Sequence, residues 1–158
     1  RAHKIRLLVD VRTIPRSRHN PQFNADALAT ILNEAGLNSL HLPALGGLRK
    51  ARKDSINSGW RNAGFRGYAD YMQMEEFQRG LEELMAYGTD MKTAIMCAEA
   101  VPWRCHRSLI ADALMTHGWG IQHIMSSEKA TQHVLTSFAQ VENGSLTYPK
   151  PTDSPSLF

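Results

Sequence analysis

The sequence predicts an α/β fold: a three-layer sandwich in which a mostly parallel sheet carries helices on both faces, Rossmann-like or flavodoxin-like in its winding. Three observations predict it. Short runs of branched apolar residues, such as IRLLVDV at 5–11, read as buried strands. Segments with apolar residues three and four apart, such as 24–35, read as helices. The two kinds alternate along the chain, which is the pattern of βαβ units joined by right-handed crossovers. At 158 residues the chain is long enough to bury a core without staples. Residues 1–148 are expected to form a single α/β domain, and 149–158, rich in Pro and Ser, a loose C-terminal tail.

The elements follow in order. The first strand, 5–11, ends on Asp10. RTIPRSRHNPQFN has two prolines and many polar residues, and reads as a loop. Asn24 is placed as N-cap of a helix to about Ala35, with Leu28, Ile31, Leu32 and Ala35 on one face, stopped by Gly36. A second strand is expected over 37–42. Residues 43–67, glycine-rich and basic, read as a long loop without regular structure. A helix in two pieces follows over 68–87, with Phe77, Leu81, Leu84 and Met85 inward and Gly88 at its end. Thr93–Met96 is the third strand, Cys105 or Arg107 to His117 the next helix, and Ile121–Met125 a fourth strand. A last helix is expected over 128–138, then a hairpin or edge piece over 141–148.

Composition narrows the function classes. No apolar run approaches the roughly 20 residues that span a bilayer. Two cysteines do not make a secreted disulfide framework, so the expected location is cytoplasmic, with no membrane partner and no disulfide between Cys97 and Cys105. Charge is uneven. Residues 1–66 hold 12 Lys and Arg against 4 Asp and Glu, a balance of +8; residues 67–158 hold 6 against 11, a balance of −5. The basic half, and above all Arg49, Lys50, Arg52 and Lys53, is either a solvated surface or a contact face for phosphate.

Sheets of this class bind ligands outside the carboxyl ends of their strands. The chain places Asp10 and Arg12, His41, Cys97 and Glu99, and His123 at those ends. In VDVR, strand alternation puts Asp10 and Arg12 on one side. They make either a buried ion pair or a carboxylate that aims a guanidinium at an anion. Arg16 and Arg18 add positive charge nearby.

The segment MCAEAVPWRCHRSLIADAL, 96–114, is densest in chemistry. Pro102 keeps Val101 extended, and Cys105-His106-Arg107-Ser108 opens a helix. Free N–H groups at that helix start, with Arg104 and Arg107, suit an anion and favour a thiolate at Cys105. His106 is suited to moving protons, and Glu99 to acting as a base or holding a hydroxyl. Cys97 reads either as a packed small hydrophobe or as a participant. Trp103 offers a stacking face, as do Trp60, Phe65 and Tyr68 unless they are core; Arg66 supplies charge, and Gly67 permits close backbone approach. No metal site and no cofactor are expected, because Cys97 and Cys105 stand eight apart with no paired Cys/His motif elsewhere. The phosphatase-type loop, with Arg six positions after the Cys, is absent, since Trp103 occupies that place.

The strings LLVDVRTIPRSRHNPQFN (7–24), HLPALGG (41–47), FRGYADYM (65–72) and MCAE…CHR…IA..L (96–114) resemble the bacterial family of domain of unknown function 488. The resemblance runs from residue 1 to about residue 125. It implies an α/β three-layer fold and supplies no established reaction. It also implies a further N-terminal strand with a Thr-Ile-Gly-His-Ser type segment and a helix, of which Arg1–Lys4 would be the end. That strand would bring a His and a Ser to the same cleft.

The expected function is an enzyme acting on a phosphate-bearing small molecule or nucleic acid. Arg12, Arg104 and Arg107 would hold phosphate, Asp10 would orient Arg12, Glu99 and His106 would handle protons, and Cys97 or Cys105 would be the nucleophile. Arg16, His41, Arg66 and Trp103 complete the ligand-binding set. Two alternatives stand beside it: a non-catalytic nucleic-acid-binding or regulatory module built on the basic loop, and a thiol-based redox or metal sensor.

Overall fold

The computed structural model describes residues 1–151. Its organising element is a parallel sheet of three strands, β1 (Leu7–Asp10), β2 (Asn38–His41) and β3 (Thr93–Met96), in the order β2-β1-β3. Register places Asp10 opposite both His41 and Met96. All three carboxyl ends therefore lie on one edge, and the chain leaves that edge as Val11-Arg12, Leu42 and Cys97. β1 is central, which is why Leu7, Val9 and Val11 are buried.

The helices are α1 (Ala25–Glu34), α2 (Ala63–Tyr71), α3 (Glu75–Asp90) and α4 (Arg107–Thr116). α1 ends as expected, with Gly36 at a φ of 72°. The Asn24 side chain does not cap it, and accepts instead from the Ser17 N–H at 2.7 Å. None of α1's residues is buried, and Ile31 is about half exposed, so its apolar face covers little. α2, α3 and α4 supply the core: Tyr68, Phe77, Leu81, Leu109 and Ile110 are all nearly inaccessible. Each such side chain contributes about 1.5–3 kcal/mol on burial. Gly88 does not end α3, which continues to Asp90. A Cβ at Gly88 would lie 2.9 Å from the Trp119 ring, so glycine there serves packing rather than termination.

Two expectations fail C-terminal to α4. The strand β4 (Gln122–Ile124) does not join the parallel sheet; it pairs antiparallel with β5 (Ala130–Gln132). The helix expected over 128–138 is absent, because β5, an irregular segment and a turn occupy that stretch. Backbone pairing across a short turn, Met125 N–H to Lys129 C=O at 2.9 Å, has overridden the weak helical pattern. A groove of about 480 Å³ lies between β3 and β4, lined by Thr93, Ala94 and Ile95 on one side and Ile121, His123 and Ile124 on the other. The hairpin expected at 141–148 is present as β6 (Gln140–Glu142) and β7 (Ser145–Thr147). The expected tail lies, from residue 152 onward, outside the described residues.

The long loop 43–62 is not structureless. It opens with a 3-10 turn at Pro43–Leu45 and is tied to α2 by Asp70. The Asp70 carboxylate accepts from the Arg52 N–H, the Ser55 hydroxyl and the Asn57 amide at 2.8, 2.5 and 2.8 Å. Asn57, fully buried, in turn accepts from the Tyr148 N–H at 2.9 Å. A satisfied side-chain network thus replaces regular structure. Among the described residues no helix is long and apolar enough to cross a membrane.

Candidate functional site

The carboxyl edge of the sheet gathers the polar residues of three separate segments. Asp10, the last residue of β1, takes the Arg12 N–H at 3.0 Å and the Arg12 Nε–H at 2.9 Å. The same guanidinium reaches the second carboxylate oxygen and donates to the Phe23 carbonyl at 2.7 Å. Both side chains are buried, and the Asp10 hydrogen bond raises Arg12 above its usual range, so it stays charged. Removing one member of such a pair costs about 3–5 kcal/mol, since the other is left as an unpaired buried charge. His41 Nε2 lies 2.8 Å from the Arg12 carbonyl, which only an N–H can satisfy. These three residues brace the edge of the sheet.

Beside them lies a cluster of two thiols and an imidazole. Cys97 follows β3; Pro102–Arg104 form a 3-10 turn, which folds the chain back; Cys105 and His106 then precede α4. This return brings the two cysteines together although they are eight residues apart. Donor atoms of Cys97, Cys105 and His106 all lie within 4.8 Å of one another. His106 Nδ1 faces both sulfurs, 4.0 Å from Cys97 Sγ and 3.7 Å from Cys105 Sγ.

The cysteines differ in protonation. The Cys97 thiol hydrogen bonds to Cys105, which draws Cys105 down to about 6, helped by the N–H, side chain and charge of Arg107. The same bond, with burial, pushes Cys97 up to about 12. Both shifts favour ionisation at Cys105 over Cys97. Arg107 Nε donates to Cys105 Sγ at 3.3 Å, while another of its nitrogens donates to the Glu99 and Ala100 carbonyls. Arg107 therefore closes the 97–107 turn and stabilises the thiolate at once. The His106 ring is wedged between Gly47, where a Cβ would come within 3.0 Å of Nδ1, and Tyr68, whose ring centroid is 4.9 Å away. Its Nε2 is buried with no hydrogen-bond partner.

Other expected site residues lie elsewhere. The Glu99 side chain, Arg104 and Arg16 are exposed, and Trp103 stands 68% in solvent. Arg16 lines a cleft with Ile14, Ser17, Arg18 and Pro21. Arg66 donates to the Trp60 carbonyl at 3.4 Å, a local structural contact. Trp60 and Phe65 stack on each other 4.8 Å apart, and Trp60 packs edge-on to Phe138, so they form an aromatic cluster inside the fold. Gly67 does allow close approach, but of this chain's own backbone: a Cβ there would lie 2.3 Å from the Arg49 carbonyl oxygen. In the basic loop the Arg49 guanidinium sits 3.5 Å over the Tyr71 ring, and Arg52 pairs with Asp54 in solvent.

A second polar network is absent from the sequence reading. Asp112, fully buried in α4, accepts from His133 Nε2 at 2.8 Å, from the Thr136 N–H at 3.1 Å and hydroxyl at 2.7 Å, and from the Tyr148 hydroxyl at 2.9 Å. His133 Nδ1 is 2.8 Å from His123 Nε2, and His123 reaches the groove between β3 and β4. Burial, then the charge of His133, lowers His123 below its usual range. The signal in the sequence was a lone carboxylate inside the apolar run SLIADALM.

Comparison with known proteins gives a family. The sequence model described as "Domain of unknown function DUF488" matches residues 1–114, which takes in the parallel sheet, the cysteine turn and most of α4. No curated protein and no solved structure matches the chain. With most of its length covered by that match, the chain belongs to the DUF488 family.

Proposed function

We propose that the protein is an enzyme whose reaction centre is the Cys97–Cys105–His106 cluster, acting on an anionic substrate, a nucleotide or nucleic acid, at the carboxyl edge of the sheet. The observation that carries this reading is convergence: one sulfur from the end of β3 meets a sulfur and an imidazole nitrogen from the start of α4 within 4.8 Å at that edge. Buried Asp10 and Arg12 brace the same edge. The strand order β2-β1-β3 supports a doubly wound, three-layer parent architecture, in which this edge is the ligand-binding one. Arg107, on the sulfur of Cys105, and exposed Arg104 supply positive charge for the substrate.

The roles follow from position. Cys105 supplies the electron-rich sulfur, His106 moves protons at Nδ1, and Cys97 holds the proton that keeps Cys105 ionised. Exposed Glu99 is left for contact with a hydroxyl of the substrate.

The test is a panel of nucleotides, oligonucleotides and simple phosphate esters offered to the reduced protein. Turnover, or slowed alkylation of Cys97 and Cys105 by a panel member, is the expected result, with turnover lost in Cys105→Ser. A panel that neither reacts nor protects would remove this reading. The basic-loop alternative makes the opposite demand: salt-sensitive nucleic-acid binding lost on neutralising Lys50, Arg52 and Lys53, with Cys105→Ser without effect.

A further inference from the structure

We infer that Cys97, Cys105 and His106 form a three-ligand site for a single thiophilic divalent cation of the zinc class, with its fourth tetrahedral position open. The inference rests on reading the cluster as a reaction centre and adds the metal that the sequence spacing had argued against; with the ion bound, Cys97, Cys105 and His106 Nδ1 are its ligands and no longer the proton holder, free thiolate and proton carrier of the metal-free cluster.

Geometry carries it. A tetrahedral ion with bonds of about 2.3 Å to sulfur and about 2.0–2.1 Å to nitrogen holds its ligand atoms roughly 3.5–3.8 Å apart. Here Nδ1 lies 3.7 Å from one sulfur and 4.0 Å from the other, and all three donors fall within 4.8 Å. Small side-chain rotations close the remaining gap. Ligand chemistry agrees, because two thiolates and an imidazole select zinc over magnesium or calcium. On binding, Cys97 gives its proton to solvent and both sulfurs become thiolates, so the ion and its ligands together are neutral.

The surroundings are those of a held site. The His106 ring packs between the side-chain-free Gly47 and the Tyr68 ring, which limits its movement. Arg107 Nε donates to Cys105 Sγ, the kind of outer hydrogen bond that orients a thiolate ligand. The eight-residue spacing that spoke against zinc is closed by the 3-10 turn at Pro102–Arg104. Among the described residues this is the one cluster of three or more such donors. Three protein ligands leave a position for water or a substrate oxygen, the arrangement of catalytic rather than structural zinc.

The experiment uses the full chain, reduced and freed of metal with a chelator, and titrates it with cobalt(II) as the probe. One equivalent should produce the near-ultraviolet thiolate-to-cobalt charge-transfer band and the visible bands of four-coordinate cobalt. Zinc should displace it. Cys97→Ser, Cys105→Ser and His106→Gln should each weaken binding by more than the roughly tenfold that loss of an outer partner costs. Should a cysteine variant fail to fold, the wild type decides: zinc at one equivalent should protect both cysteines from alkylation. Absence of the charge-transfer band, or unprotected cysteines, would overturn the inference. Turnover that persists in metal-free protein and is lost in Cys105→Ser would overturn the metal while leaving the reaction centre. Stoichiometric metal with no anionic substrate would do the reverse.

Discussion

Two polar clusters meet α4, one at its start and one at Asp112 midway along it, and they differ in how completely they are satisfied. Asp112 accepts four hydrogen bonds, from His133, Thr136 twice and Tyr148. At the start of α4, His106 leaves Nε2 without a partner, and the two neighbouring sulfurs are shifted in opposite directions, Cys105 down and Cys97 up. A saturated network holds the fold, because every group has exchanged water for an equivalent partner. An unsaturated one retains capacity to bind or react. The difference separates a stability element from a site more sharply than residue type does, since both clusters contain a histidine.

The comparison breaks most visibly if Asp112 is removed. Asp112→Ala leaves His133, Thr136 and Tyr148 without their acceptor and should cost about 3–5 kcal/mol. Thermal unfolding should shift down by roughly 6–20 °C, while cobalt binding at the start of α4 is kept in the folded fraction. Loss of the metal site without loss of stability would invert the two roles.

A second, smaller effect is read from pH. Cys105 is depressed to about 6 in the folded chain, so the stability it contributes is present above its unfolded value of 9.0 and is lost as pH falls through 6. Cys97, raised to about 12, works the other way above 9.0, since only the unfolded chain then loses that proton. Metal-free wild type should therefore gain stability relative to Cys97→Ala/Cys105→Ala from pH 6 to 9 and lose that gain above 9. Denaturant unfolding at a series of pH values checks this, and a flat difference would count against the opposed shifts.

Smaller still is His106→Gln. An imidazole whose Nε2 is already unpartnered has little hydrogen bonding to lose, so stability should change by about 1 kcal/mol or less. The same substitution should weaken cobalt binding strongly. A large loss of stability with intact metal binding would make His106 a packing residue.

Much of the fold was legible. β3 stands at Thr93–Met96 as the apolar run predicts, and α1 ends at its glycine. Periodicity failed where pairing partners decide the outcome: β4 and β5 find each other across a short turn, which no local pattern over 128–138 encodes. Glycines misled in both directions. Gly88 sits inside α3 because Trp119 needs the space, and Gly67 faces the basic loop rather than a ligand. In the site, Cys97, Cys105, His106 and Arg107 were visible as a dense segment. Their closure was not, because it depends on the 3-10 turn and on Arg107 reaching back to the Glu99 carbonyl. Trp103, Arg104 and Glu99 share the segment yet point to solvent, which sequence spacing cannot separate from pointing inward.

In the proposed function the cluster is held half-ionised rather than packed as two inert thiols. The most direct test is a titration of thiolate absorbance in reduced, metal-free protein, compared among wild type, Cys105→Ser and Cys97→Ala. One thiolate should appear in wild type with a midpoint near pH 6, be absent from Cys105→Ser over that range, and shift upward in Cys97→Ala, where the donor is gone. A wild-type midpoint near the ordinary thiol value of 9.0, unchanged by Cys97→Ala, would contradict the account.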